Sequence, residues 1–415
     1  MISVEEARTR ILKHITSLPT IPVPLSEAIG LVLARDVIAQ ENIPPFANSA
    51  MDGFALKSQD SQPRAGKPAR LRIIGEVAAG YVAQQVVIPG TALRIMTGAP
   101  LPEGADTVIQ IELTQAVPAS DPRAQEPQVD ILSEVAPGNN IRLAGEDMQR
   151  GQTVLTAGTE IGPWEIGILA TLGWATVPVI RRARVAILGT GDEIIDVDQP
   201  LQPGKIRNSN SYLIEAAVRR AGAEPVRLGV ARDTLASLRE KFSQAVTCDL
   251  IITSGGVSVG DFDLVKQVLT EEGQMEFWRI NMRPGKPVAF GHIGSVPLIG
   301  LPGNPVSTAV TFELFARPVI RKMQGQQRII KPQAPVVVEQ GIPDRASRRH
   351  YVRAHVEWQQ GHLVAHPTGN QGSHIMTSLR NANALVIVPE NGESIPPGGT
   401  AMAIMLDWPE VELTQ

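Results

Sequence analysis

The chain has 415 residues, too many for one ordinary core, and at a typical domain size of about 150 residues it divides into two or three domains. Hydrophobic residues at 43% and charged residues at 19% exclude disorder over most of its length, and a net charge of −4 excludes a nucleic-acid binder built on bulk positive charge. A single cysteine, Cys248, leaves no intrachain disulfide and no multi-cysteine zinc site, which points to a reducing compartment. The N-terminus carries Glu5, Glu6 and Arg8 where an export signal needs an apolar run. Residues 161–180 are nearly uncharged but contain Pro163, Glu165 and Pro178, so they read as a short helix and a strand rather than a membrane span of about 20 apolar residues. Cytoplasm is the expected location, with neither a membrane nor a nucleic-acid partner.

In chain order, Ser3 and Glu6 have capping-box spacing ahead of Val4, Ala7, Ile11, Leu12 and Ile15, which share one helical face. Ser26 and Gly30 bracket a second short helix, followed by an alternating run over 31–38. From about 46 to 145 short alternating segments (70–74, 84–88, 92–96, 106–111 and 128–132) predict a small antiparallel barrel or sandwich. The polar stretch from Thr114 to Gln128 reads as a flexible insertion. Near 180 the period changes. Strands at 184–188, 225–230, 249–253 and 297–300 alternate with helices at 211–221, 234–245, 263–272 and 305–321, which predicts a parallel sheet covered on both faces. After Lys331 short strands return (334–338, 350–357, 362–366, 384–388 and 401–406), giving a C-terminal all-β module.

Ligands of open parallel sheets bind beyond the carboxyl ends of the strands, and that rule selects three loops. Gly189-Thr-Gly-Asp-Glu193 is a poor dinucleotide fingerprint. Its Asp192 and Glu193 suit a magnesium ion held against phosphate, with an ordinary acidic turn as the alternative. Thr253-Ser-Gly-Gly-Val-Ser-Val-Gly-Asp-Phe-Asp263 offers paired glycines, serines and a helix start, which suit phosphate better than a plain βα turn does. Leu301-Pro-Gly-Asn-Pro-Val-Ser307 places Asn304 as a cap and Pro305 in a first turn, so a structural role competes with a binding one. Arg279, Arg283 and Lys286, punctuated by prolines, suggest an oxyanion clamp, with a solvated basic turn as the alternative. The seven histidines form no His-Glu-x-x-His motif, and Cys248 reads as core.

Asn48-Ser-Ala-Met-Asp52-Gly-Phe-Ala55, Arg94-Ile-Met-Thr97-Gly-Ala-Pro100 and Asn140-Ile-Arg-Leu-Ala-Gly-Glu-Asp147 precede those loops. Together with Arg283-Pro-Gly-Lys-Pro287, Gly300-Leu-Pro-Gly-Asn-Pro-Val-Ser307 and Gln371-Gly-Ser-His374, this order resembles the molybdopterin molybdenumtransferases, the MoeA and gephyrin E-domain family. The resemblance spans essentially the whole chain. It implies a multidomain α/β plus all-β protein. A molybdopterin-binding-like α/β domain with a parallel-rich sheet would take 1–24 and 180–326, and a discontinuous extended linker domain 25–45 and 146–179. An inserted β-rich lobe would take 46–145, and a C-terminal β-barrel 327–415. It also implies a homodimer that takes adenylylated molybdopterin and molybdate, inserts molybdenum with Mg²⁺ and releases AMP, with Asp52 and Thr97 acting across the dimer. Contact with the molybdopterin adenylyltransferase and with molybdoenzyme-maturation proteins would follow.

Carried over residue by residue, Ser254, Gly255, Gly256, Ser258, Asn304 and Ser307 would cradle the pterin phosphate region. Asp192, Glu193, Asp233 and Asp263 would hold the metal and pyrophosphate side, and Lys286, Pro287, Arg353 and Ser373 would bind molybdate. Asp52, Thr97, Asp147, Arg279 and Arg283 would complete the catalytic set. The family commonly has lysine where Arg279 and Arg283 stand, and His350 occupies a position that is often acidic. Two other readings compete with insertion: the preceding adenylylation step, and a non-catalytic scaffold of the gephyrin kind.

Overall fold

The computed structural model describes residues 1–63, 66–117, 126–255, 273–343, 347–390 and 394–409, with main chain alone over 273–277. The chain separates into two compact units, one made of residues 1–35, 157–167 and 174–415, the other of 36–156 and 168–173.

The larger unit is organised by a six-stranded sheet in the order Glu224–Ala231, Arg184–Thr190, Leu250–Ser254, Val296–Leu301, Pro287–Ile293 and Gly273–Arg279. The first four strands are parallel, as the alternation of strand and helix requires, and the last two are antiparallel. The sheet is thus parallel-rich, as expected, and its two edge strands make it mixed. Residues 273–279 and 287–301 run back and forth, and the short antiparallel connection from Ile293 to Val296 cannot carry a crossover helix.

Pleating sends alternate side chains of each central strand to opposite faces. Val185 and Ile187 join Ile11, Val218, Ile252 and Phe312 in one core, while Ala186 and Leu188 join Leu238, Phe242, Ile251 and Leu298 in the other. Each buried Leu, Ile or Phe in such a layer stabilises by roughly 1.5–3 kcal/mol. Both faces are covered, so the loops at the strand ends are what remains for a ligand.

The capping signals set the helix ends. Ser3 Oγ accepts from the Glu6 amide at 3.1 Å at the start of Val4–Lys13. Asn208 and Thr234 cap Ser209–Arg220 and Leu235–Ala245 in the same way. The last helical stretch is less regular than its sequence suggests: Pro305–Thr311 and Arg317–Met323 are joined by a π turn, Phe312–Ala316. The expected second helix is a 3-10 turn, Leu25–Glu27, and the expected helix at 263–272 lies outside the described residues.

The same unit contains a closed five-stranded barrel. Arg349–Gln359, His362–Pro367, Gln333–Val338, Gly399–Met405 and Ala384–Val388 pair in turn, and the last pairs back onto the first. Val336, Val352, Val356, Val386 and Ala403 are among the side chains that fill it, so its interior is a packed core. A sixth short strand, Met282–Arg283, pairs in parallel with the start of Arg349–Gln359 and so ties the sheet's last turn to the barrel wall.

In the smaller unit the strands order as Thr107–Gln110, Gly53–Leu56, Thr91–Ile95, Ala69–Val77, Gln128–Ile131 and Thr114–Ala116. Ala69–Val77 pairs in parallel with Thr91–Ile95, so this is a mixed open sheet and not the antiparallel barrel or sandwich expected. Residues 84–88 form no strand, and 114–116 form one inside the supposed flexible insertion, of which 118–125 lie outside the described residues. Phe54 and Leu56 face one core, Ala55 and Leu93 the other. Among the described residues no helix is long and apolar enough to cross a membrane.

Candidate active site

The strand ends Thr190, Ser254 and Leu301 lie side by side in the register Gly189↔Ser254↔Leu301, so their three following loops open on one cleft of about 870 Å³. Strand spacing alone brings these loops together. The approach is close at Gly255, where φ is +91° and a Cβ would sit 2.7 Å from the Thr190 carbonyl oxygen. No residue with a side chain fits there without backbone movement.

The wall from the first two loops is polar and tightly tied. Asn210 Nδ2 donates to Ser254 Oγ at 2.8 Å and to the Gly303 carbonyl at 2.6 Å, joining all three strand ends. Asn210 Oδ1 and Ser211 Oγ are buried with no hydrogen-bond partner among the described residues. Asn210 lines the cleft, and its unpartnered oxygen marks where water or a ligand completes the bonding. Ser209 and Asn210 also begin the helix Ser209–Arg220, whose free amides and positive end face an anion well.

The barrel supplies the remaining wall. Ser373 accepts from Asn304 Nδ2 at 3.2 Å, and its carbonyl accepts from the Val306 amide at 3.2 Å, which fastens the 369–374 loop to the helix start at Pro305. Behind that loop stands Arg353, fully buried. It donates to Ser378 Oγ at 3.1 Å and to the Gly372 carbonyl at 3.2 Å, while Gln371 Oε1 accepts from its amide at 2.9 Å. Its Nη1 has no partner among the described residues, and burial pushes its pKa down to about 10.

Among the described residues lining the cleft, four cations (Arg207, Arg283, Lys286 and Arg348) face one carboxylate, Glu193. Burial, and then repulsion from Arg348, lowers the Arg283 pKa. Arg283, Lys286 and Arg348 are half-buried, and such crowding of positive charge favours anions in the space. A hard cation could share it. Asp192 and Asp233 exchange amide–carboxylate bonds at 3.2 and 3.3 Å beside Glu193, although no group of three potential metal ligands forms among the described residues.

Of the residues expected in the site, Glu193, Ser254, Gly255, Arg283, Lys286, Pro287, Asn304, Ser307 and Ser373 line the cleft. Asp192 and Asp233 are exposed next to Glu193, and Arg353 lies behind the wall rather than on it. Arg279 is exposed at a strand end opposite Pro287 in the register and does not line the cleft. Gly256, Ser258 and Asp263 lie outside the described residues. In the smaller unit Asp52 and Thr97 come together: Asp52 Oδ1 accepts from the Thr97 amide and hydroxyl, both at 2.7 Å, and these bonds hold its pKa below the usual carboxylate value. Asp147 is exposed in that unit, its amide bonded to the Ile43 carbonyl.

Sequence reasoning passed over Arg207, Asn208, Ser209 and Asn210, which line the cleft. Their signal was the polar string Arg-Asn-Ser-Asn-Ser ahead of a helix, more than one N-cap requires.

Family models match nearly the whole chain in order: "MoeA N-terminal region (domain I and II)" over 2–173, "Probable molybdopterin binding domain" over 186–322 and "MoeA C-terminal region (domain IV)" over 335–406. A Bacillus subtilis protein named molybdopterin molybdenumtransferase is 36% identical over 420 residues, covering 98% of this chain and 96% of its own. The chain belongs to the MoeA family. A Mycobacterium tuberculosis protein named molybdopterin molybdenumtransferase 2 is 37% identical to this MoeA-family chain, with 96% and 98% covered. The crystal structure of the molybdopterin biosynthesis moeA protein from Pyrococcus horikoshii superposes on it with a TM-score of 0.82 at 30% identity, covering 98% of this chain and all of the other. The multidomain α/β plus all-β architecture is that of the family.

Proposed function

We propose that this chain inserts molybdenum from molybdate into adenylylated molybdopterin, with release of AMP, in the cleft at the carboxyl ends of its parallel strands. As a member of the MoeA family it is an enzyme of the molybdopterin molybdenumtransferase class. The observation that carries the site assignment is the lining itself: four cations and a helix start around 870 Å³ with a single carboxylate among the described residues. Both substrates are anions, and the reaction needs them held together more than it needs a strong nucleophile.

In this reading Ser254, Gly255, Asn304 and Ser307 receive the pterin phosphate region, while Lys286, Arg283, Arg348 and Ser373 hold molybdate. Arg353 fixes the Ser373 loop from behind. The acids fit magnesium, which keeps most of its waters and asks one or two carboxylates of a protein. Glu193 on the wall, with Asp192 and Asp233 beside it, would hold the ion, and bound there it would neutralise charge on the phosphate oxygens of the departing AMP. Asp263, Gly256 and Ser258 belong to the same assignment, and Asp52, Thr97, Asp147 and Arg279 are assigned to the reaction by family resemblance alone. We place the enzyme in the cytoplasm as a homodimer, with four domains per chain divided as the sequence suggests.

The test is single-turnover incubation with adenylylated molybdopterin, with and without molybdate. Molybdate-dependent AMP release supports the reading. Formation of adenylylated pterin from molybdopterin and ATP, with no molybdate-dependent AMP release, would reverse the order in favour of adenylylation.

A further inference from the structure

Arg283 and His350 are direct partners in the parallel register between Met282–Arg283 and Arg349–Gln359. On its other side His350 pairs with Val388, so strands fix its backbone on both edges. Both side chains line the cleft, and Arg283 Nη2 lies 3.1 Å from His350 Nδ1. A guanidinium has only donors, so Nδ1 must accept and the imidazole carries its proton on Nε2. His350 is 6% exposed, and burial together with the charges of Arg283 and Arg353 pushes its pKa down to about 3. At any working pH it is neutral.

We propose that His350 is a positioning residue for oxyanion binding: it fixes the fork of Arg283 towards the cleft as a neutral acceptor that adds no negative charge. A carboxylate at the same place would also orient the guanidinium, in a stronger charge-assisted pair, but would offset part of the attraction Arg283 exerts on an anion. The neutral imidazole orients the fork and leaves its charge undiminished. This rests on the proposed function only in taking the cleft as an oxyanion site.

The experiment titrates molybdate and inorganic pyrophosphate into the full chain by calorimetry at fixed ionic strength. His350→Asn offers an amide oxygen where Nδ1 stood and should stay within about threefold of wild type. His350→Ala removes the acceptor and should weaken binding by about tenfold. His350→Asp keeps an acceptor of nearly the same shape and should weaken binding by about thirtyfold or more. In an Arg283→Met background the difference between Asn and Asp at 350 should shrink, because the fork through which they act is gone. Melting temperatures monitor folding, and should His350→Asp fail to fold, the comparison of His350→Ala with His350→Asn decides. Equal affinity of the Asp and Asn variants, or of the Ala variant and wild type, overturns the proposal and leaves the proposed function standing. A wild-type chain that takes up neither anion overturns both.

Discussion

Gly255→Ala probes the closest packing at the cleft floor. Two costs add at this position. The backbone sits at φ +91°, where an L side chain pays about 1–2 kcal/mol. The new Cβ would also lie 2.7 Å from the Thr190 carbonyl oxygen and 2.9 Å from Thr190 Oγ1. Thr190 closes a buried parallel strand and cannot retreat freely, and overpacking of this kind costs about 1–3 kcal/mol. The sum is about 2–5 kcal/mol, which lowers the melting temperature by roughly 4–10 °C at about 2 °C per kcal/mol for a large unit. Gly229→Ala separates the two terms: it has φ +82° and nothing within 4 Å of its Cβ, so it should cost only the first. Since the Gly255 shift displaces the loop facing the ligand, molybdate and pyrophosphate affinities should fall by about tenfold or more in Gly255→Ala and stay near wild type in Gly229→Ala. Thermal melts and calorimetric titrations of both variants measure this. Equal destabilisation by the two, or full anion affinity in Gly255→Ala, would refute the claim that the Thr190–Gly255 contact sets the cleft floor.

Lys286→Ala should leave the melting temperature nearly unchanged and weaken molybdate by about tenfold, more at low salt than at high, as titrations at two ionic strengths would show. Arg353→Ala removes a buried guanidinium that holds the 369–374 loop; it should cost about 2–4 kcal/mol by denaturant unfolding and weaken molybdate more than AMP, so equal loss of both ligands counts against its placement behind the Ser373 wall. The pH dependence follows from His350. Its pKa falls from 6.5 to about 3 on folding, so the stability it contributes is complete above pH 6.5 and is lost as pH falls towards 3, with a slope of up to about 1.4 kcal/mol per pH unit. His350→Asn should flatten the stability profile over that interval, and a profile parallel to wild type would contradict a buried neutral imidazole.

The sequence by itself determined the elements whose physics is local. Ser3, Asn208 and Thr234 cap their helices because an N-cap needs only its own third neighbour, and the strands at 184–190 and 250–254 show as apolar runs because both their faces are buried. The three strand-end loops were legible for the same reason, and the ordered motifs located the family. Tertiary structure decided what depends on residues distant in sequence. The mixed sheets arise from pairings between Ala69–Val77 and Thr91–Ile95, and between Pro287–Ile293 and its two neighbours, which no single segment encodes. Only folding shows that Arg353 stands behind the cleft wall while Arg207 and Asn210 stand on it. It is likewise only the register of two short strands that sets His350 against Arg283, because which side chain meets which across a sheet is fixed by global packing and not by either strand's own sequence.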